Sequence, residues 1–392
     1  MNDWKTATLG DLVEPAETWN PANAAPNKIF DYIDLNAVDQ DAKLIRRAHK
    51  IPCDEAPSRA RQLVAKGDVL VSTVRPNLNG VAKVPEELDG ATASTGFCIL
   101  RARSTVLDRS YLFHWVKSPA FIGEMVRKAT GASYPAVSHR IIFESRLPLP
   151  PLEEQRRIAD VLDRAEALRA KRRVALAQVD SLTQSIFLDL FGDPLANNSN
   201  HKHVKFGSVA RRITYGFTSP MKHLDDGIPI ITAKNVQDGF IDFESVHYAN
   251  QSEFDALTAK SKPESGDVLI TKDGTIGRCA MVETSTPFCI NQSVALVQPV
   301  LDQVRPSYMV AYLSTNGVQN VMKNMGKGNA LAHLQITELA EVTMPLPPIS
   351  LQDDFARCCA GVTKLKVTHQ RSLAGLDRLF SVLQHRAFRG EL

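Results

Sequence analysis

The residues from which an activity would first be read are histidine pairs, glycine-rich turns and nucleophile motifs, and this chain offers few of them. It has no Gly-x4-Gly-Lys-Ser/Thr to cradle a phosphate, no His-Glu-x-x-His, no Gly-x-Ser-x-Gly and no Gly-x-Gly-x-x-Gly. It also lacks the Asn/Asp-Pro-Pro-aromatic segment that holds a target amine in amino-methyltransferases. His201 and His203 have the spacing of two metal ligands, but they follow Asn197-Asn-Ser-Asn200 with no third-ligand signal nearby, so the stretch reads as a solvated linker. Gly274-Thr-Ile-Gly277 has the Gly-x-x-Gly spacing that clamps backbone phosphates in some RNA-binding domains, but standing alone it reads as a tight hairpin turn. Cys53, Cys98, Cys279, Cys289, Cys358 and Cys359 contain no Cys-x-x-Cys pair, which argues for reduced thiols rather than a zinc ribbon, a redox motif or a disulfide framework.

The elements that would position a site repeat. Leu147-Pro-Leu-Pro-Pro-Leu152 returns as Met344-Pro-Leu-Pro-Pro-Ile349, and Gly131 returns as Gly328 at the same offset. Leu9-Gly10-Asp11-Leu12 matches Phe206-Gly207-Ser208-Val209, Gly67-Asp-Val-Leu70 matches Gly266-Asp-Val-Leu269, and Phe97-Cys-Ile99 matches Phe288-Cys-Ile290. The chain is therefore two readings of one design, each a globular region followed by a shared segment.

Each segment after the Pro-Pro predicts a long helix. Pro151 suits a first helical position, Glu153 and Glu154 set negative charge at the positive end of the helix dipole, and Gly192-Asp193-Pro194 supplies a stop. Ile158, Val161, Ala165, Leu168, Arg172, Ala175, Val179, Leu182 and Ile186 recur three and four apart, the spacing of a seam facing a partner helix. The second copy gives Phe355, Cys358, Val362, Leu365, His369, Ser372, Leu376, Leu379 and Leu383. The second helix buries its seam most simply by returning along the first, so antiparallel pairing is expected, with Ile158 near Leu383 and Ile186 near Phe355. The globular regions mix strand-like runs (68–73, 267–271, 293–297) with helical ones (111–128, 307–325). The fold class expected is α+β: two α+β domains separated by a pair of long antiparallel coiled-coil helices, in an internal pseudo-two-fold repeat. The boundaries are 1–147, 148–195, 196–345 and 346–392.

Composition limits what such a design does. The 392 residues are 44% hydrophobic and 23% charged, which buries real cores and excludes wholesale disorder. The N-terminus has no apolar stretch of signal-peptide length and no run suits a membrane span, so a cytoplasmic protein is expected. Net charge is only +3; residues 349–389 form the one clearly basic segment, with 7 basic and 3 acidic groups.

With these residues in view, the chain resembles the specificity (S) subunits of type I restriction-modification systems. The resemblance runs the full length. It rests on Leu147-Pro-Leu-Pro-Pro-Leu-Glu-Glu-Gln-Arg-Arg-Ile158, its weaker copy at 344–355, the Phe191-Gly-Asp-Pro194 junction and the C-terminal Ala387-Phe-Arg-Gly-Glu-Leu392. Within the globular halves, 67–77 and 266–277 resemble segments that recur in target recognition domains. The second copy departs from the pattern, with Ile349-Ser-Leu-Gln-Asp-Asp-Phe355 where Leu152-Glu-Glu-Gln-Arg-Arg-Ile158 stands in the first, although Gln155 and Gln352 coincide. The resemblance implies a non-catalytic chain with target recognition domains at 1–147 and 196–345, helical spacers at 148–195 and 346–392, and no cofactor or metal of its own. Each domain would read one half of an asymmetric bipartite site in double-stranded DNA. Two methyltransferase (M) subunits would bring S-adenosylmethionine, and restriction (R) subunits using ATP and magnesium would join the full complex.

It further implies where bases would be met: the loops after the Gly-Asp-Val strands and those near Gly131 and Gly328. Arg75, Asn77 and Asn79 rank first in half one, followed by Ser133, Tyr134 and His139. Lys272, Thr275, Arg278, Lys327 and Asn329 are the counterparts in half two. Arg or Lys pairs with guanine and Asn with adenine, while a structural or phosphate role is an equal alternative for each. Arg46-Arg47 and Arg211-Arg212 are candidate phosphate contacts. The competing readings are a coiled-coil scaffold that binds protein partners without reading DNA sequence, and a stand-alone nuclease.

Overall fold

The computed structural model describes residues 4–25, 27–196, 201–325 and 333–392. The chain forms two compact units, Met1–Arg173 with Arg371–Leu392, and Val174–Gln370. Each unit thus takes one globular region and one half of each long helix. The division falls within the helices because their ends are packed onto the globular regions they adjoin.

In the first unit an antiparallel sheet runs in the spatial order Val13–Glu14, Phe97–Ala102, Val69–Ser72, Val81–Lys83. A second sheet has the order His49–Pro52, Ile29–Ile33, Thr92–Ser94, Ala60–Leu63, with one parallel pairing at its centre. The second unit repeats this plan. Ala210–Tyr215, Val294–Pro299, Val268–Thr271 and Cys279–Met281 form the antiparallel sheet, and His247–Ala249, Ile228–Ile231 and Cys289–Ile290 the other. The registers correspond: Leu70 opposes Ile99 as Leu269 opposes Leu296. Between the two sheets lies a small core, built from Ile33, Leu70, Phe97 and Ile99 in one unit and Ile231, Leu269, Phe288 and Leu296 in the other. A larger core joins the antiparallel sheet to the helices. Each globular region is also closed by its own ends, Thr6–Thr8 pairing with Arg146–Pro148 and Lys202–Lys205 with Thr343–Leu346.

The helical run at 111–128 is two helices, Arg109–Val116 and Pro119–Lys128. Ser118 restarts the second, its side chain accepting from the Phe121 N–H while Pro119 takes the first helical position. The run at 307–325 likewise divides into Pro306–Leu313 and Asn316–Met325, where the Thr315 hydroxyl donates to the Tyr312 carbonyl at 2.8 Å. His201 and His203 do not lie in a linker: Lys202–Lys205 is a strand and the His201 ring meets Phe191 at a steep angle, while residues 197–200 lie outside the described residues.

The long helices span Leu152–Phe191 and Ile349–Ala387. At 1.5 Å per residue each is about 60 Å long. They pair antiparallel within each unit. Ile158 and Leu383 share the first unit's core, as Ile186 and Phe355 share the second's. Arg169 bonds Asp377 at 2.6 Å in one unit and Lys366 bonds Asp180 at 2.6 Å in the other, so the register steps forward along one helix as it steps back along the other. The seam is patchier than its spacing suggests. Leu168, Leu182, Leu365 and Leu379 lie exposed, because two helices cover only a narrow stripe of each other, whereas Leu162, Phe187 and Phe355 are sealed by the globular regions. Among the described residues, no helix is long and apolar enough to cross a membrane.

One polar arrangement fixes each helix start. Gln155 is buried; its side-chain oxygen accepts from the Asp108 N–H at 2.9 Å, and its amide donates to the carbonyls of Val106 and Pro150. Gln352 repeats this, accepting from the Arg305 N–H at 2.8 Å and donating to the carbonyls of Gln303 and Pro347. Tyr111 and Tyr308 donate to the carbonyls of Pro148 and Pro345. Replacing Gln155 by Leu leaves three backbone groups unpaired in a buried place, so Gln155→Leu is expected to lower unfolding free energy by about 3 kcal/mol. Urea denaturation measured beside the Glu153→Gln variant, an exposed neighbour expected to change little, checks this.

Candidate nucleic-acid interface

In the first unit the sequence-selected residues meet at two adjoining turns. Strand Val69–Ser72 leads into a 3-10 turn, Pro76–Leu78, flanked by Arg75 and Asn79. The second turn, 130–136, is closed by mutual backbone bonds between Thr130 and Ala136. Gly131 there has φ +105°, and a Cβ would approach the Tyr134 carbonyl oxygen to 2.9 Å, so this turn needs glycine. The turns are joined where the Arg75 N–H donates to the Pro135 carbonyl at 2.7 Å and the Val137 N–H to the Thr73 carbonyl at 2.9 Å.

Arg75, Asn77, Ser133 and Tyr134 are exposed on this surface. The Arg75 guanidinium lies 4.5 Å from the centre of the Tyr134 ring, which holds a long side chain extended without using up its donors. Asn79 is half-buried; its amide nitrogen donates to the Lys117 carbonyl at 3.4 Å, and its side-chain oxygen has no protein partner. His139 opens the short helix His139–Phe143 and is half-exposed there.

Backbone strain is gathered at this place. Among the described residues, the non-glycine positions with positive φ are Lys43 (58°), Arg75 (49°) and Asn79 (51°). Two flank the Pro76–Leu78 turn, and the third reaches it: the Lys43 ammonium donates to the Asn79 carbonyl at 2.5 Å. Left-handed backbone at such residues costs energy and persists where the surroundings over-determine it.

In the second unit, Gly274-Thr-Ile-Gly277 lies in the hairpin loop joining Val268–Thr271 to Cys279–Met281. Thr275 is exposed at its tip. Arg278 is half-buried and donates to the Gln237 side-chain oxygen at 2.9 Å. Lys272 departs from its sequence reading: it is buried, not presented. Its ammonium lies 3.2 Å from Asp273 and 5.1 Å from the Tyr215 ring centre, because it occupies the inward position matching Thr73 rather than the turn itself. Asp273 also bonds His333 at 2.5 Å, across a bridge that corresponds to Val74 with Ala136 in the first unit. Lys327 and Asn329 lie outside the described residues. Arg211 and Arg212 are exposed on the edge strand Ala210–Tyr215, and Arg46 is paired with Asp39 at 2.5 Å.

Behind the first unit's turns lies a polar layer that sequence spacing did not reveal. His114 and Lys117 on helix Arg109–Val116 and its cap face Asp163 and Glu166 of the first long helix. Burial holds His114 below the usual imidazole range, so it stays neutral at pH 7 and its Nε2–H donates to Asp163 at 2.7 Å. Burial also lowers Lys117. Glu166 is raised by burial, but the Lys117 ammonium outweighs this and holds the carboxyl below its ordinary value. Among the described residues, no group of three or more His, Cys, Asp or Glu side chains is arranged to hold a metal ion.

A family model described as type I restriction modification DNA specificity domain matches residues 1–177 and 217–364, covering the first globular region, most of the second and the N-terminal part of each long helix. The chain belongs to this type I DNA specificity family. Similar members include the type I restriction enzyme EcoBI specificity subunit of Escherichia coli, 24% identical over 332 residues that make up 75% of this chain and 68% of that one. The EcoKI specificity subunit of Escherichia coli K12 is 21% identical over 394 residues, 95% of this chain and 81% of that one. Among solved structures, a chain from work on complex assembly and conformational transition of the type I R-M system superposes with a TM-score of 0.68 at 26% identity, covering 100% of this chain and 99% of that one. The type I S subunit from M. genitalium shares the fold, with a TM-score of 0.55 at 14% identity over 99% of this chain and 97% of that one.

Among the family-type turns, the one held by Lys43 carries a titration that reports on its packing. Burial and the nearby Lys117 charge pull the Lys43 ammonium down to about 8, against the opposing pull of Asp41, Glu166 and Asp39. Because the folded value lies below the unfolded one, the folded chain releases this proton first, and Lys43 contributes stability that rises with pH from about 8 to 10.5. A carbon-detected NMR titration of the lysine Cε signals is expected to show Lys43 with a midpoint near 8.

Proposed function

We propose that this chain is the non-catalytic DNA-specificity subunit of a type I restriction-modification complex, each globular region reading one half of an asymmetric bipartite duplex target. One observation carries this reading. The frame of the two units is the same, down to Gln155 and Gln352 and to Tyr111 and Tyr308, while the turns they present differ. Arg75-Pro-Asn-Leu-Asn79 stands in one unit where Gly274-Thr-Ile-Gly277 stands in the other. A repeated frame with unlike turns suits two readers of unlike base sequences. Arg75 is the side chain best placed for a guanine edge, and Asn77 for an adenine edge.

The long helices set the spacing of the half-sites and dock methyltransferase subunits, with Leu168 and Leu379 exposed for this in the first unit and Leu182 and Leu365 in the second. S-adenosylmethionine enters with those subunits, and ATP and magnesium with restriction subunits, acting in the cytoplasm. This chain directs the chemistry of its partners. A scaffold that binds only protein has no use for unlike turns on a common frame.

Two measurements test the reading on the assembled methyltransferase. Exchanging residues 196–345 for the corresponding region of another family member is expected to change one half of the methylated motif and leave the other intact; a change in both halves refutes separate readers. Arg75→Ala is expected to reduce discrimination at one base position by about 1 to 3 kcal/mol, read from methylation rates on single-base variants of the target.

A further inference from the structure

The turn at 75–79 is held by two contacts that lead away from the surface. On one side the Lys43 ammonium bonds the Asn79 carbonyl at 2.5 Å. On the other, the Asn79 amide bonds the Lys117 carbonyl at 3.4 Å, and the Lys117 ammonium in turn bonds the Glu166 carboxylate on the first long helix. Glu166 lies 3.7 Å from Arg169, which bonds Asp377 on the second long helix at 2.6 Å and stacks on Phe380 with 4.4 Å to the ring centre. A continuous polar line thus runs from an exposed, strained turn to both helices of the spine. Among the described residues, the second unit has no such line. At the positions matching His114, Lys117, Asp163 and Glu166 stand Ala311, Ser314, Ala360 and Thr363, and its turn is braced locally by Asp273, His333 and Lys272.

Resting on the proposed reading of DNA by the first unit, we propose that Lys43 and Glu166 are positioning residues for base discrimination: they hold the 75–79 turn in its left-handed form, so that recognition in one half-site depends on the helix spine and recognition in the other does not. Neither residue need touch DNA. Lys43 contributes a second, charged donor to the Asn79 carbonyl, which also accepts from the Val81 N–H at 3.0 Å, and so ties the left-handed end of the turn to a side chain from outside it. Glu166 contributes the charge that keeps Lys117 in place.

The test uses the complete methyltransferase complex and its mapped target, with the half-sites assigned to the units by the domain exchange. Methylation rates are measured on the target and on duplexes carrying single-base changes in each half. Lys43→Met, which keeps the aliphatic stem, and Glu166→Gln, which keeps the shape, are expected to lower match-to-mismatch discrimination about tenfold in the half read by the first unit, with the other half unchanged. Lys43→Arg, which restores a donor, is expected to recover most of it. Wild-type discrimination in both variants, or an equal loss in both halves, overturns the assignment. A wild-type complex that tolerates every base change in the first unit's half removes the reading itself, an outcome visible before any variant is compared.

Discussion

Every part of this structure depends on a side-chain amide buried at the start of each long helix. Gln155 and Gln352 each satisfy three main-chain groups and touch no charged partner. A primary amide supplies one acceptor and two donors, which is the complement that a helix start, a loop carbonyl and a Pro-Pro carbonyl leave open. Because the contacts are to main chain, the frame is indifferent to the side chains around it. That is why the second helix start diverges to Ser350, Asp353 and Asp354 while its geometry persists.

The two units then differ in how each globular region is fastened to the spine. The first uses His114 with Asp163 and Lys117 with Glu166, in which the nitrogen partner is buried and the carboxylate half-exposed, whereas the second uses Arg305 with Asp353, both half-exposed. A buried ion pair gains little net stability, since its attraction is offset by the loss of hydration, but breaking one partner is costly. The first unit's attachment is accordingly specific in geometry, and the second's is looser in electrostatic demand and leans on the aromatic cluster of Phe187, Phe191, Tyr308 and Phe355.

Much of this was legible in the residues. The repeat, the antiparallel helices and the equivalence of Gln155 with Gln352 follow from spacing alone, because a period and a proline are local signals. The break at Ser118-Pro119 was equally local and was obscured by the apolar run across it. Less accessible were Lys43, Lys117 and Glu166, far apart in sequence and unremarkable in type, which meet only when the strand order is set. The inward turn of Lys272 has the same origin: its position directly after the strand Val268–Thr271 decides its direction, and its charge does not.

The short strands that close each globular region carry a consequence for how such proteins change over generations. Thr6–Thr8 against Arg146–Pro148, and Lys202–Lys205 against Thr343–Leu346, set the entry and exit of each region side by side. Whatever lies between is, to the remainder of the molecule, a single excursion whose length alters closure entropy only slowly. A whole excursion can therefore be exchanged as a cassette joined at two neighbouring seams, provided the incoming region keeps the loop groups that Gln155 or Gln352 binds.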